Sequence, residues 1–194
     1  MARKDSRNTK GRIVDAAWEL FYEQGYEQTT IDEIVERSET SKGSFYHYFS
    51  GKDALLSSLS YLFDEKYEEL TEVMPDNMNS IEKMLFLNKE LFRMIEDSIS
   101  IDLLTQLLSS QLITKNEKSL LDHNRTYYKL LRSIVIDGQK KGEISADNSV
   151  NDIVKAYALY ERAMLYDWCL CNGEYSLCDY SCKMLPMFLN GYLA

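Results

Sequence analysis

Residues 26–55 read Tyr-Glu-Gln-Thr-Thr-Ile-Asp-Glu-Ile-Val-Glu-Arg-Ser-Glu-Thr-Ser-Lys-Gly-Ser-Phe-Tyr-His-Tyr-Phe-Ser-Gly-Lys-Asp-Ala-Leu. Thr30-Ile31-Asp32-Glu33 has the form of a capping box, with the Thr30 hydroxyl accepting from the Glu33 amide and Glu33 reaching back. It predicts a helix whose apolar face is Ile31, Ile34 and Val35. Ser38-Glu39-Thr40 ends that helix, and Ser41 caps a second one from Lys42 to about His47. Phe45 and Phe49 are four residues apart and point into a core, which sends Lys42, Ser44, Tyr46 and His47 elsewhere. Two short helices joined by a tight turn, the second mostly polar, form a helix-turn-helix, whose second helix enters the DNA major groove.

The helix before it covers Arg12 to about Gln24, with Ile13, Ala16, Ala17, Leu20 and Phe21 as its buried stripe and Gly25 as its left-handed cap. Ahead of it, Arg3, Lys4, Arg7, Lys10 and Arg12 face a single acid, Asp5. Such a basic arm commonly lies along the phosphate backbone or in the minor groove. Lys42, Gly43 and Ser44 are placed for base edges, Tyr46 and His47 suit phosphate oxygens, and Lys52 is placed to clamp a phosphate. From spacing alone a helical hairpin without a nucleic-acid role remains open, with Tyr46 and Tyr48 as half-buried aromatics.

The ordered set Ala17, Phe21, Gly25, Tyr26, Thr30, Ile31, Ile34, Ser41-Lys42-Gly43-Ser44-Phe45-Tyr46, Phe49, Lys52 and Leu55 resembles the TetR family of bacterial transcriptional regulators. The resemblance covers roughly the first quarter of the chain. It implies an all-α protein: a three-helix DNA-binding domain over 1–51, then a six-helix ligand-binding and dimerisation domain over 52–194. It implies DNA contacts from Thr30, Lys42, Gly43, Ser44, Tyr46, Tyr48 and Lys52, to which Lys10, Thr40, Ser41 and His47 join as candidates. The turn departs from the family's Ala-Gly-Val. Glu39 in place of Gly costs about 1 kcal/mol if the position needs positive φ.

The chain has 194 residues and a net charge of −9, an unusual balance for a DNA binder. Its positive charge gathers in the arm and at Arg37, Lys42 and Lys52, and DNA affinity depends on charges near phosphates rather than on the total. Two prolines and eight glycines leave room for long helices. The N-terminus has no signal-peptide pattern and no apolar run suits a membrane, so a soluble cytoplasmic protein is expected.

Six further helices are expected at about 52–73, 79–97, 100–112, 115–141, 149–172 and 176–193. The first is the expected connector, running from Lys52 to a pocket wall near Phe63 and Tyr67. Thr114–Glu117 forms another capping box, and Gly142 stops a helix after Lys140-Lys141. One inward stripe carries Asn88 beside Phe92; another carries Asn124, Tyr127 and Tyr128. A buried amide needs a partner, since leaving it unpaired costs about 1–3 kcal/mol; backbone, water, protein side chain and ligand all remain open.

Helix 149–172 is apolar nearly all round and the last helix partly so. A second subunit would cover both, making a homodimer through the last two helices that fits a palindromic operator with half-sites about 10 base pairs apart, or a multiple. Glu161 interrupts the apolar run. It faces either the interface or a pocket with Tyr157, Tyr160 and Met164, where a cationic or aromatic effector is conceivable. The bland reading of such an aromatic stripe is core. Cys169, Cys171, Cys178 and Cys182 match no strong zinc signature, so no metal and no cofactor is assigned; a thiol or metal sensor on the same scaffold stays an alternative. No catalytic constellation is present, and His47 and His123 lie in different domains. The expected function is a homodimeric repressor released from double-stranded DNA by an unknown small-molecule effector, with a ligand-independent DNA-binding protein as a further alternative.

Overall fold

A computed structural model describes residues 2–114 and 118–193, with residues 2–8, 59 and 61 described by their backbone alone. Its helices are α1 (Ala2–Gln24), α2 (Ile31–Arg37), α3 (Lys42–Tyr48), α4 (Lys52–Leu56), α5 (Leu59–Val73), α6 (Ser80–Ser98), α7 (Ile101–Ile113), α8 (Thr126–Lys141), α9 (Val150–Leu170) and α10 (Leu177–Leu189). The fold is all-α, and no described helix is long and apolar enough to cross a membrane.

The chain forms two compact units: Met1–Tyr61 with Asp102–Ser119, and Leu62–Ile101 with Leu120–Ala194. This grouping does not follow a cut at 51/52, because α4, the start of α5 and most of α7 go with the N-terminal helices. In the first unit, Ile13, Ala17, Leu20 and Phe21 of α1 are buried, as are Ile34 of α2, Phe45 of α3, Leu55 of α4 and Leu104 and Leu107 of α7. Phe21 packs on Tyr26 with ring centroids 5.1 Å apart. In the second unit, Phe63, Tyr67, Met84, Phe92, Val135, Tyr157 and Leu185 are among the buried residues. Gly138 allows close packing there, since a Cβ would lie 2.7 Å from Ile144 Cδ1 and 2.8 Å from the Ser80 Cβ.

Several expected boundaries are corrected. The backbone of α1 is already helical from Ala2; the side chains of Arg3, Lys4 and Arg7 lie outside the described residues. The helix expected over 52–73 breaks at Ser57-Ser58, where the Ser58 hydroxyl and amide both bond the Leu55 carbonyl, a local competition that shortens helices. The helix expected over 115–141 starts only at Thr126. Before it, the Asp122 carboxylate accepts from the Asn124 amide at 2.8 Å, an Asx turn that the 3.6-residue periodicity did not reveal. Asn124 is consequently exposed rather than on an inward stripe. The capping box at 114–117 falls largely outside the described residues. Gly142 ends α8 in the left-handed region at φ 71 after Lys140 and Lys141, as the sequence implied.

Candidate nucleic-acid interface and effector site

The capping box at α2 is formed. Thr30 Oγ1 accepts from the Glu33 amide at 3.3 Å, and Glu33 Oε2 accepts from the Thr30 amide at 2.8 Å. Ser41 caps α3 by accepting from the Ser44 amide at 3.0 Å. Phe45 is fully buried and Phe49 nearly so, with centroids 5.7 Å apart. This anchoring leaves Lys42, Gly43, Tyr46 and His47 exposed and Ser44 and Tyr48 half-buried. Tyr46 is 56% exposed, high for an aromatic on so small a core. Thr9 and Arg12 of α1 meet Ser41, Gly43, Ser44, His47 and Tyr48 around a recess of about 660 Å³. A helix face without side-chain cover at Gly43, flanked by an arginine and hydroxyls, suits a nucleic-acid backbone.

Three candidates are already engaged. Lys42 Nζ pairs with Asp32 at 2.7 Å across exposed surface, a weak pair that phosphate can displace. Thr40 is half-buried, its hydroxyl 2.8 Å from that of Ser38. Lys52 does not have the geometry of a free phosphate clamp. Its ammonium donates to the carbonyls of Tyr26 at 2.6 Å, Thr29 at 2.9 Å and Glu27 at 3.4 Å, and lies 4.2 Å from the Tyr26 ring centre. Three acceptors match its three N–H donors, so Lys52 staples the loop ahead of α2. Lys10 is exposed, its Nζ 5.9 Å from the centre of the Phe49 ring. The site list read from the sequence omitted Thr9 and Arg12; a helical period carried back through Gly11 would have placed them on one face.

The second unit holds a buried carboxylate. Glu161 of α9 is only 5% exposed. Its Oε1 accepts from Asn88 Nδ2 at 2.9 Å and its Oε2 from the Tyr127 hydroxyl at 2.6 Å. Asn88 Oδ1 in turn accepts from the Ser181 hydroxyl at 2.6 Å. The Tyr157 hydroxyl donates to the Met84 carbonyl at 2.9 Å. Tyr67 packs on Tyr127 with centroids 5.2 Å apart, and its buried hydroxyl has no hydrogen-bond partner among the described residues. Burial pushes the Glu161 carboxyl above the usual carboxylate range, opposed by the hydrogen bonds it receives and the charge of Arg162. Burial, and next the Glu161 charge, hold the phenols of Tyr67, Tyr127 and Tyr157 well above their ordinary value. No cation contacts Glu161 among the described residues: Arg162 donates to the Tyr128 hydroxyl at 3.2 Å, and Arg125 is bound to Asp64 through two bonds of 2.9 and 3.1 Å.

Of the sequence candidates, Asn88, Tyr67, Tyr157 and Glu161 converge here. Phe63, Phe92, Tyr128 and Met164 are buried in the same unit, while Tyr160 is half-buried and stacks on Phe188 at 5.1 Å. Asn124 does not join them. Tyr127 and Ser181 belong to the hub but not to the sequence list. Tyr127 was legible beside Tyr128 on its stripe; Ser181 was not, since serine on an amphipathic helix reads as surface. Among the described residues no three His, Cys, Asp or Glu side chains come together as metal ligands.

Residues 13–59 match the family model for bacterial regulatory proteins of the tetR family. Over that segment the chain is similar to the TetR family. It is a DNA-binding transcriptional regulator, and the TetR relatives it matches are regulators rather than enzymes. The fatty acid metabolism regulator protein of Bacillus subtilis (strain 168) is 24% identical over 192 residues, covering 97% of each chain. Among solved TetR-type structures, FadR of Thermus thermophilus, a repressor in complex with lauroyl-CoA, is 24% identical, with TM-score 0.77 and 95% of each chain covered. FadR of Bacillus subtilis in complex with stearoyl-CoA is 22% identical, with TM-score 0.72, covering 94% of this chain and 98% of that one. The TetR fold therefore extends well beyond the matched N-terminal segment.

Proposed function

We propose that the protein is a homodimeric repressor that binds a palindromic operator in the cytoplasm and leaves it when a small-molecule effector occupies the second unit. The observation that carries the DNA half is the exposed polar face of α3, held outward by buried Phe45. In this reading residues 1–51 read DNA through Lys10, Thr30, Thr40, Ser41, Lys42, Gly43, Ser44, Tyr46, His47 and Tyr48, with Thr9 and Arg12 added. Residues 52–194 bind effector and partner subunit. Leu159, Tyr166 and Leu170 of α9 and Tyr180 and Met187 of α10 are exposed. An apolar stripe of this kind supports pairing with a second copy through these two helices.

Release follows by population shift: effector favours a dimer whose recognition helices do not fit two successive grooves. The acyl-CoA complexes of the FadR relatives make long-chain acyl-CoA a first compound to test for release. Selection from random duplexes, followed by binding across a salt series, tests the DNA half. Sequence-selective binding that weakens steeply with salt and is lost in Tyr46→Ala is the expected result. Binding no tighter than to random DNA removes it. A thiol or metal sensor is disposed of if the Cys169→Ser, Cys171→Ser, Cys178→Ser and Cys182→Ser quadruple variant responds unchanged.

A further inference from the structure

A carboxylate sealed in an apolar core loses its hydration, and neutral donors replace that hydration only in part. Glu161 has neutral donors from Asn88, Tyr127 and Tyr157 and, among the described residues, no contacting cation. The two arginines nearest in the network are committed to Tyr128 and Asp64. Around it stand the rings of Tyr67, Tyr127 and Tyr157, and Tyr67 is 2% exposed with an unpartnered hydroxyl. A negative charge flanked by aromatic faces is the arrangement that attracts an organic cation.

An apolar groove begins at Asn88, the residue that donates to Glu161. Asn88 belongs both to the hub and to a groove of about 650 Å³ between α6 and α10. Leu85, Phe86, Met78, Leu185 and Pro186 give that groove apolar walls, with Glu82 and Lys89 of opposite charge also on its lining.

We propose that this site binds an amphiphile bearing an organic ammonium, with the apolar tail along the α6–α10 groove and the ammonium against Glu161 and the Tyr67 hydroxyl oxygen. The ammonium N–H groups supply the donors that Glu161 and Tyr67 can still accept, and the carboxylate supplies the counter-charge. This assignment rests on the reading of the second unit as an effector domain.

The test uses dodecylammonium, dodecanol and dodecanoate below their micelle concentrations, three probes with one tail and different head charge. Calorimetric titration into DNA-free full-length protein should show dodecylammonium binding at least ~10-fold tighter than dodecanol, and dodecanoate weaker than both. Glu161→Gln, which keeps the shape of the side chain and an acceptor, should remove the preference for the cation while leaving the tail-dependent binding. Equal affinity for cation and alcohol overturns the proposal on the wild-type protein alone, whether or not the variant folds, and so does a preference that survives Glu161→Gln. The underlying effector reading fails separately. If dodecylammonium binds through Glu161 but does not release DNA, the site stands and its regulatory role falls. If lauroyl-CoA releases DNA while the protein shows no preference for the cation, the regulatory role stands and the ammonium site falls.

Discussion

Tyr46 and Tyr157 have the same side chain and opposite circumstances. Tyr46 stands on a seven-residue helix at 56% exposure, while Tyr157 is 1% exposed inside a bundle and spends its hydroxyl on the Met84 carbonyl. The recognition helix holds its polar groups outward by burying one residue, Phe45. The Glu161 hub holds its polar groups inward by pairing them with one another. The first arrangement is built from neighbours in sequence; the second draws on Asn88, Tyr127, Glu161 and Ser181 from four helices. Polar residues thus carry information in the first region through what they leave exposed, and in the second through which other helices they meet.

Removing the Phe45 anchor has the largest expected effect. Phe45→Ala should cost about 3–5 kcal/mol of stability, the usual range for a buried Phe in a packed core. Thermal or urea unfolding measures it, and a loss below 1 kcal/mol, roughly the cost of a surface change, would mean that α3 is not held by Phe45. Tyr46→Ala, one position along, should leave stability nearly unchanged and weaken operator binding by about 10- to 100-fold, in the range of 1–3 kcal/mol for a specific contact. Should Tyr46→Ala destabilise the protein as Phe45→Ala does, the two residues would share one structural role.

Lys52 sharpens the boundary between reading DNA and supporting the reader. Its ammonium bonds three backbone carbonyls, so Lys52→Met should lower stability by about 1–2 kcal/mol, on the scale of lost charge-assisted hydrogen bonds. Binding measured across a salt series should keep the wild-type slope. A slope shallower by about one would restore a phosphate contact to Lys52.

Much of the first region could be read from sequence because capping boxes, the Phe45–Phe49 spacing and the Gly25 cap are local signals. Lys52 could not, since a lysine at a helix start looks the same whether it meets phosphate or carbonyl oxygen. In the second region the helices are legible from periodicity, but α8 is shorter than its apolar pattern implies because the Asx turn at Asp122 interrupts that pattern. Glu161 stands out as a charge on an apolar helix, yet the sequence does not name its network: Asn88, which bonds it, lies 73 residues away, and Ser181, which bonds Asn88, lies 93 residues from Asn88. Periodicity places a residue on a face and says nothing of which other helix meets that face.

The hub also makes a prediction in pH. Burial raises the folded-state value of Glu161, so the native protein holds that proton more tightly than the unfolded chain. The resulting contribution to stability is fully present below the unfolded value, about 4.3, and is lost as pH rises through the folded value. Glu161→Gln has no such titration. The stability of the wild type relative to Glu161→Gln should therefore fall as pH climbs from about 4 toward neutrality. Chemical denaturation at several pH values measures the difference, and a flat difference would mean that the neutral donors fully compensate the buried charge.

The smallest expected effect lies in the turn between the two short helices. Glu39 sits at φ 50, in the left-handed region where a side chain is strained and glycine is not. The backbone still closes there, with the Glu39 amide on the Glu36 carbonyl at 3.1 Å and the Thr40 amide on the Val35 carbonyl at 3.0 Å, so the strain is tolerated rather than relieved. Glu39→Gly should stabilise the protein by up to about 1 kcal/mol, reduced by the greater freedom that glycine gives the unfolded chain. Removing an acid from a surface next to the recognition helix should also raise DNA affinity, and more at low salt than at high. If stability rises while affinity at high salt is unchanged, Glu39 sets the strength of the turn without setting the orientation of α3. If affinity changes equally at all salt concentrations, the turn's geometry has moved the recognition helix itself, and the two regions of this molecule would then differ less than their packing suggests, each tuned by one acidic residue held where its environment disfavours it.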